Sequence, residues 1–395
     1  MPALDQLAVR QSDAQPLDQN TAPCKPAGSK NKTRKIAKIY LNDFLTINLM
    51  LLFAIYQLLK GSLSAEYLGN LYDMTMIVEV KRGEFVESIH ECSVSVVDAD
   101  GVIVEEHGNV SDPIFPRSAI KAFQALAMVE SGAAKHFGFT EQELAMCCSS
   151  HSGEDRHADH VVDMLSKLGL KEEALNCGPS WPRRASYARN YAVAGGHANA
   201  LRHNCSGKHS GFLCLACHLS EDVEDYTAYD HPVQKEVAAV IEAITGFTLR
   251  EIPEIDGCSA PAHQLPLHAI ALGFARFATG RGLEPQRKEA AETLYNACTT
   301  FPELVGGDNR YDSLIMKAAP KALFAKTGAE GVYCGAIPDR GIGIAIKCHD
   351  GAARAAELAF GAVVEKYAGH LMENQTQTNL INAAGQLVGA IEVKA

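Results

Sequence analysis

The segment S-A-I-K is the first part of the sequence that could carry out chemistry. Ser118 and Lys121 stand three residues apart at the start of a predicted helix, so both side chains lie on one face. A neutral lysine can take the proton of a serine hydroxyl if burial or a nearby positive charge lowers its pKa. The segment therefore offers Ser118 as a candidate nucleophile and Lys121 as its candidate base.

A second lysine stands in K-T-G at positions 326 to 328, on a predicted strand. The combination of S-x-x-K with K-T-G is typical of penicillin-recognising serine enzymes, which also need an S-D-N or similar element. No S-x-N or Y-x-N occurs in the sequence between Lys121 and Lys326. The absence weakens the β-lactamase and transpeptidase interpretation, but it leaves open an amidohydrolase built on the same kind of sheet.

The loop CCSSHSGE, residues 147 to 154, lies between two predicted helices and contains Ser150, His151 and Glu154. The start of a helix presents unpaired backbone N–H groups, which can bind an oxyanion or a substrate carboxylate. The structural alternative is that Ser150 or Ser152 simply caps the following helix. From the residues alone, both interpretations remain open.

The segment NCSGKHSGF could serve a phosphate, a nucleophile or a metal. A phosphate-binding loop of the G-x-x-x-x-G-K-[ST] type is excluded because Arg202 replaces its first glycine and His209 follows Lys208. Cys205 and Lys208, with Cys258 further along the chain, could instead bind a metal. The 53-residue separation of the two cysteines is not a finger-type spacing, so buried core thiols are the alternative.

Composition restricts the class of protein. The chain has 395 residues with 47% hydrophobic content, which is enough for a large buried core. The formal charge of -11 argues against a nucleic-acid partner, whose phosphates require clustered Lys and Arg. The 12 cysteines are spread through apolar runs such as FLCLAC, which indicates reduced thiols and favours a cytoplasmic protein.

Residues 1 to 73 differ from the rest of the chain. The stretch Lys25 to Lys38 is basic, and an uncharged run from Phe44 to Leu59 follows it. This run is shorter than the ~20 apolar residues of a spanning helix. We predict a polar, basic and poorly ordered leader, with membrane anchoring or secretion as alternatives, and a catalytic domain over residues 74 to 395. Any membrane contact would be made through the leader.

The elements that must position these residues are strands at both ends of the domain with helices between them. Alternation predicts a β-hairpin over residues 92 to 107, and a capping box of Thr140 with Glu143 starts a short helix. Predicted helices cover 154–168, 209–219, 232–245, 263–278, 285–298 and 309–319. Short strands at ALFAKTG, GVYCGAI and GIGIAIKC precede a last helix, ARAAELAFGAVVEKYAG, which we expect to close the fold. The fold class is α/β, a mixed α+β sheet with helices packed on it.

Six segments in order resemble the asparaginase II family, the Rhizobium etli type of L-asparaginase. They are FPRSAIKAFQALAMVE, MCCSSHSGEDRH, NCSGKHSGF, DGCSAP, NRYDSLIMKA and AKTGAEGVYCGAI. The resemblance implies a fold similar to serine β-lactamases and glutaminases, and hydrolysis of L-asparagine to L-aspartate and ammonia. It provides no counterpart for the leader, and Asp312 stands where relatives can carry a cysteine.

The same resemblance implies roles for particular residues. Two serine–lysine tandems would share one pocket, Ser118 with Lys121 and Ser150 with Lys326, and we expect Ser118 to be the nucleophile. A Zn²⁺ ion on Cys205, Lys208 and Cys258 would shape the pocket, rather than supply an attacking water. The expected substrate contacts are Arg117, His151, Glu154, Asn204, His209 and Asp256. A homodimer is common among such enzymes.

Two alternatives belong to other functional classes. A glutaminase or a β-lactamase-like serine hydrolase would use the same catalytic groups on a different substrate. A non-catalytic module that binds an amino acid or zinc would keep the pocket without turnover. The presence of both serines and both lysines argues against the second alternative, because a decayed enzyme is expected to lose at least one of them.

Overall fold

The fold is organised around one long antiparallel strand, and it is described here from a computed structural model for residues 75–372 and 374–394. Strand β2 spans Phe85–Asp98; its first residues are mostly exposed, and its second half is buried on both faces from Cys92 to Val97. The Asp98 side chain accepts hydrogen bonds from the backbone N–H groups of Asp100 and Val102, which turns the chain into strand β3, Ile103–His107. The predicted hairpin is therefore confirmed, although its first strand begins earlier than expected.

An eight-stranded sheet has the order β11-β12-β1-β2-β10-β9-β8, with β3 paired to β2. Its recorded strand pairings are antiparallel. The strands are β1 Met76–Arg82, β2 Phe85–Asp98, β3 Ile103–His107, β8 Phe324–Thr327, β9 Val332–Ile337, β10 Ile342–Cys348, β11 Gln377–Ile381 and β12 Leu387–Val393. Short pairs are formed by β4 Pro113–Ile114 with β7 Leu265–Pro266, and by β5 Glu254–Ile255 with β6 Pro261–Ala262.

Helices occupy the chain between β4 and β8, as the sequence predicts, and one more follows β10. They are α1 Lys121–Glu130, α2 Ala133–His136, α3 Glu141–Cys147, α4 Asp155–Lys167, α5 Ala185–Val193, α6 Ser206–Leu219, α7 Pro232–Thr245, α8 Leu267–Thr279, α9 Pro285–Thr300, α10 Pro302–Val305, α11 Tyr311–Ala318 and α12 Ala353–Ala368. The Thr140–Glu143 capping box starts α3 as predicted.

Aromatic contacts show that the two faces of the sheet are covered by different helices. The ring of Phe324 on β8 lies 5.7 Å from that of Phe274 on α8, measured between centroids. Tyr333 on β9 instead packs 4.7 Å from Phe360 on α12. Because side chains two residues apart in a strand share a face, Lys326 points with Phe324 towards the layer of α8. The second predicted lysine is thus directed into the helical side of the fold.

The end of the chain differs from the prediction. Helix α12 does not close the fold, because β11 and β12 follow it and β12 pairs with β1. The Asn382 side chain accepts from the backbone N–H groups of Ala384 and Gln386, and this turn joins the two strands. The sheet is therefore assembled from both ends of the described chain, which supports the mixed α+β class.

The predicted leader, residues 1 to 73, lies outside the described residues. Within the described ranges, none of the helices has the length and apolar character needed to cross a membrane.

Candidate active site

A cavity of about 590 Å³ contains both predicted serines. Its wall combines hydroxyl groups with side chains of both charge signs. The lining residues are Ser118, Ser150, Ser152, Arg183, Arg184, Asn204, Asp308, Asn309, Arg310, Thr327, Gly328, Ala329, Glu330, Ala353 and Glu357. Ser118, Ser150 and Thr327, the neighbour of Lys326, come from three distant parts of the sequence, so the fold brings both predicted tandems to one place.

Ser118 lies in a short 3-10 helix, Arg117–Ile120, that leads directly into α1. Residues three apart eclipse one another in a 3-10 helix, which keeps Ser118 and Lys121 on one side. Arg117 has a φ of 51°, a left-handed conformation that costs energy for a residue with a Cβ and is typical of functional sites. The predicted single helix therefore begins as a strained turn at the candidate nucleophile.

The glycine of K-T-G allows strand β8 to approach that turn. A Cβ atom added to Gly328 would lie 2.6 Å from the carbonyl oxygen of Pro116, which is closer than real Cβ atoms come to backbone. Only glycine permits this contact without a backbone shift. The close approach places the end of the Lys326 strand beside the Ser118 turn.

Lys121 is 1% exposed and joins the two serine segments. Its ammonium nitrogen donates to the carbonyl oxygen of Ser149 at 2.6 Å and to that of Asn204 at 3.1 Å. The Asn204 side-chain amide in turn donates to Ser150 Oγ at 3.0 Å. The network fixes Ser150 and Asn204 at the cavity, in agreement with their predicted place in the site.

Lys326 is fully buried, and burial lowers its pKa from the usual value to about 7. The carboxylate of Asp312 opposes this shift, whereas the charges of Lys121 and Arg310 add to it. Its Nζ donates to the carbonyl oxygen of Thr327 at 3.2 Å. Near neutral pH a large fraction of this amine is therefore unprotonated, as a general base requires.

His151 and Glu154 have partners inside the protein and are not among the residues that line the cavity. His151 Nδ1 accepts from the backbone N–H of Gly153, so its Nε2 donates to Ser206 Oγ at 2.9 Å. Burial lowers the imidazole pKa far below its usual range, and the nearby His157 adds to the effect. Glu154 caps α4. In this structure both predicted substrate contacts serve to hold the loop after Ser150.

Cys205, Lys208 and Cys258 converge as the resemblance implies. The Lys208 ammonium donates to Cys258 Sγ at 3.0 Å. A hydrogen bond from Cys258 lowers the pKa of Cys205 well below its usual range, against the effect of burial and with help from the charges of Lys121 and Lys208. Gly207 allows the start of α6, which carries Lys208, to pack closely on α3, because an added Cβ would lie 2.2 Å from Met146 O.

Arg117 and Asp256 were both predicted to contact substrate, and they form an ion pair with each other. Arg117 donates from Nε and Nη2 to one carboxylate oxygen of Asp256, at 3.1 and 2.7 Å. Burial opposes ionisation of Asp256, but this pair and the charge of Lys208 outweigh it and lower the carboxyl pKa. The Asp256 carboxylate therefore connects the strained Ser118 turn to the segment that carries Cys258.

His209 is fully buried beside the same segment. Its Nδ1 lies 2.6 Å from the Tyr226 hydroxyl oxygen. Burial lowers its pKa to about 4, and Cys258 opposes this shift. The His209 Nε2 atom is buried and has no hydrogen-bond partner among the described residues. A neutral imidazole with a free buried nitrogen is suited to a ligand or substrate atom, as the prediction for His209 requires.

The donor set beside His209 fits the zinc ion that the family resemblance implies. Two cysteine sulfurs and a nitrogen suit a borderline-soft divalent ion such as Zn²⁺, and the buried His209 Nε2, which lacks a hydrogen-bond partner, belongs to an imidazole that interacts with Cys258. Burial lowers the pKa of Lys208, but the sulfurs of Cys258 and Cys205 outweigh it, so the net shift is upward. Lysine ligation would therefore require the ion to displace this proton.

Charged residues of the cavity wall were missed by reasoning from the sequence. Arg183 and Arg310 line it, and burial lowers the pKa of Arg183 with help from the charge of Arg310. Glu357 lines the same space, and burial raises its pKa to about 7. Arg310 lies within the segment NRYDS that carried part of the resemblance, and that was the available signal for it.

Two serine hydroxyls line the cavity, and the buried amines of Lys121 and Lys326 lie on or beside the segments that form its wall. Serine hydroxyls with amines near them provide what acyl transfer from an amide needs, which is the chemistry of an amidohydrolase. The L-asparaginase II family model matches residues 78–393, so the chain belongs to that family. Membership supports amidohydrolase activity on a small molecule. A comparison with curated proteins gives no match.

Several solved structures show a weak similarity. Mglu shares 16% identity with a TM-score of 0.42, over 72% of this chain and 68% of its own. A β-lactamase from Mycobacterium bovis shares 13% with a TM-score of 0.39, over 70% and 94%. Simvastatin synthase from Aspergillus terreus shares 11% with a TM-score of 0.38, over 72% and 91%. The assignment to a family rests on the family match and not on these.

Proposed function

We propose that the protein is an L-asparaginase that hydrolyses the side-chain amide of L-asparagine through an acyl-enzyme on Ser118. The observation that carries the proposal is the buried amine of Lys326, whose pKa of about 7 makes it a base near neutral pH. It stands on the strand that the close approach of Gly328 to Pro116 places beside the Ser118 turn. Membership of the L-asparaginase II family supplies the substrate class.

In the acylation step, Ser118 Oγ attacks the carboxamide carbon of the substrate. The hydroxyl proton of Ser118 passes to the neutral amine of Lys326. Backbone N–H groups stabilise the tetrahedral oxyanion, and the protonated lysine gives its proton to the departing nitrogen, which leaves as ammonia. Water then attacks the ester, which releases L-aspartate and restores the Ser118 hydroxyl. Lys121 keeps the charge environment that holds Lys326 neutral, and Asn204 positions Ser150, which relays protons.

The charged wall suits a substrate with a carboxylate and an ammonium group. Burial and the charge of Arg310 both make the Arg183 guanidinium harder to ionise, and a substrate carboxylate beside it would relieve this cost. Glu330 and Glu357 line the same cavity and offer acceptors for the ammonium group. Because Asp256 is paired with Arg117, these residues are better placed than Asp256 for that contact.

A Zn²⁺ ion on Cys205, Lys208 and Cys258 belongs to the proposal as a structural element. When bound, it would supply a divalent positive charge beside the pocket and replace the hydrogen bond between Lys208 and Cys258. The chain's own residues perform the reaction. His209 would hold a substrate or water atom through its free Nε2.

The test is ammonia release by the full-length chain from L-asparagine and L-glutamine, with nitrocefin hydrolysis measured in parallel. We expect activity on L-asparagine, and Ser118→Ala should lower kcat/KM by more than about 1,000-fold. Ser166→Ala is the control, because its hydroxyl is exposed on α4 and donates to Val162 O. Faster turnover of L-glutamine or nitrocefin would favour the alternative hydrolases, and near-native turnover by Ser118→Ala would remove Ser118 as nucleophile.

Peptide mapping after acid quench separates the two serines. We expect the aspartyl ester on the peptide that contains Ser118, whereas an ester on the Ser150 peptide would exchange their roles. Asparagine binding without any ammonia release would support the non-catalytic alternative.

A further inference from the structure

A second cluster of metal-ligating side chains lies at one end of the β2–β10 pair. One potential ligand atom each from His90, Cys348 and Asp350 falls within 4.8 Å of the other two. His90 is 6% exposed and Cys348 is fully buried, whereas the Asp350 side chain is 50% exposed. None of the three lines the cavity or belongs to the group of Cys205, Lys208 and Cys258.

The register of the sheet brings these residues together. Cys92 on β2 stands opposite Cys348 on β10, and the hydrogen bond from His349 N to Glu91 O makes this a non-hydrogen-bonded pair, in which side chains are closest. His90 is two residues before Cys92 and so shares its face. Asp350 lies just after the end of β10, where its carboxylate can turn back to the pair.

The contacts within the cluster already converge on one carboxylate. Cys348 Sγ donates to Asp350 Oδ1 at 3.0 Å, and His90 Nδ1 lies 2.6 Å from Asp350 Oδ2. The backbone N–H of Ala352 also donates to Oδ1, at 3.0 Å. A sulfur, an imidazole nitrogen and a carboxylate oxygen around one point are a donor set for a borderline divalent cation.

We propose that His90 Nδ1, Cys348 Sγ and an Asp350 carboxylate oxygen form a binding site for a Zn²⁺-class divalent cation. Binding would release the Cys348 thiol proton, so one thiolate and one carboxylate neutralise the charge of the ion. The exposed side of Asp350 leaves the fourth position open to water, and the neighbouring Cys92 provides a further sulfur. Three protein ligands with one open position are a common zinc arrangement.

Arg354 competes with the ion. Its guanidinium donates to His90 Nε2 at 3.2 Å, so the imidazole proton is on Nδ1 in this state. A cation on Nδ1 moves that proton to Nε2, which can then no longer accept from Arg354. Arg354 is half-buried in the first turn of α12, and its side chain can turn to solvent. Arg354→Gln is therefore expected to tighten cation binding by several-fold.

The experiment measures bound Zn²⁺ in the full-length chain. The protein is stripped with a chelator under reducing conditions, equilibrated with Zn²⁺, desalted and examined by elemental analysis. Co²⁺ titration follows thiolate-to-metal charge transfer as a second measurement. Asp350→Asn and His90→Gln test the ligands. His349→Gln is the matched control, because it lies between Cys348 and Asp350 in sequence but contacts Ser93 Oγ at 2.8 Å.

Asp350→Asn and His90→Gln are each expected to lose one equivalent of Zn²⁺ per chain, or to bind it at least tenfold more weakly, and His349→Gln to keep it. The same loss is expected in a Cys258→Ser background, which separates this site from the one in the proposed function. Unchanged zinc content and an unchanged cobalt spectrum in both ligand variants would overturn the proposal and leave a hydrogen-bonded cluster. A chain that takes up no zinc at all in the Cys258→Ser background would overturn it as well.

Discussion

Lys326 and Lys208 are both buried lysines near the Ser118 turn, yet their pKa values move in opposite directions. Burial lowers the pKa of Lys326 to about 7, and the neighbouring cation Lys121 adds to the shift more than Arg310 does. Burial also acts on Lys208, but the sulfurs of Cys258 and Cys205 reverse its effect and raise the pKa above the usual value. The desolvation penalty is common to the two sites, and the neighbouring charges decide the outcome.

The difference assigns different chemistry to each lysine. A neutral amine at neutral pH can accept a serine proton, and Lys326 meets that condition. A protonated amine held against two sulfurs is a counter-ion, and it becomes a metal ligand only when a cation takes its place. The opposite assignment would make Lys208 the catalytic base and give Lys326 only a structural role. Three substitutions, at Lys326, Cys258 and Asp312, distinguish the two assignments.

The largest effect is expected for Lys326→Met, which keeps the buried alkyl chain and removes the amine. Loss of a general base lowers the rate by about 100- to 10,000-fold, so kcat for L-asparagine should fall by that factor. Steady-state ammonia release measures the change. Lys321→Met is the control, because Lys321 is exposed in the segment that precedes β8. A Lys326→Met enzyme within threefold of the unaltered chain would assign the base elsewhere.

A smaller effect is expected for Cys258→Ser, which changes the partner of Lys208. The variant should lose zinc from the Cys205, Lys208 and Cys258 site and raise KM by about tenfold, equivalent to ~1.4 kcal/mol of binding free energy, with a smaller change in kcat. Elemental analysis with steady-state kinetics measures both. Cys214→Ser, a core thiol on α6, is the control. A large fall in kcat at constant KM would instead place this cluster in the chemical step.

The sequence predicted that Lys326 and Lys208 belong to the site, but it could not predict that their pKa values shift in opposite directions. Motif spacing placed Ser118 with Lys121 and K-T-G on a strand, because local periodicity is set by neighbours in the chain. The pKa of Lys326 depends on Lys121 and Asp312, and no local pattern records such distant contacts. The roles expected for His151 and Glu154 depended on side-chain direction, and the structure gives them partners in their own loop.

The order of the strands in the sheet could also be predicted only in part from the sequence. The final helix was recognised, but the pairing of β12 with β1 joins segments some 300 residues apart, and each strand is short and partly exposed. The Arg117–Asp256 ion pair is a similar case. Both residues were predicted to contact substrate, and the sequence does not indicate that they would bind each other.

The smallest effect tests the charge argument directly, through the pH dependence of activity. Asp312 is buried and its carboxylate raises the pKa of Lys326, so Asp312→Asn removes the charge that stabilises the ammonium form. Activity needs the neutral amine and so rises as pH increases through about 7 in the unaltered chain. In Asp312→Asn the pKa of Lys326 is lower, and the acid limb of the kcat/KM profile should move to lower pH, with the rate at pH 8 changed by less than about threefold. Asp163→Asn is the control, because Asp163 is exposed on α4 and does not line the cavity. An acid limb that moves to higher pH in Asp312→Asn, or stays in place, would show that a group other than Lys326 is the titrating base.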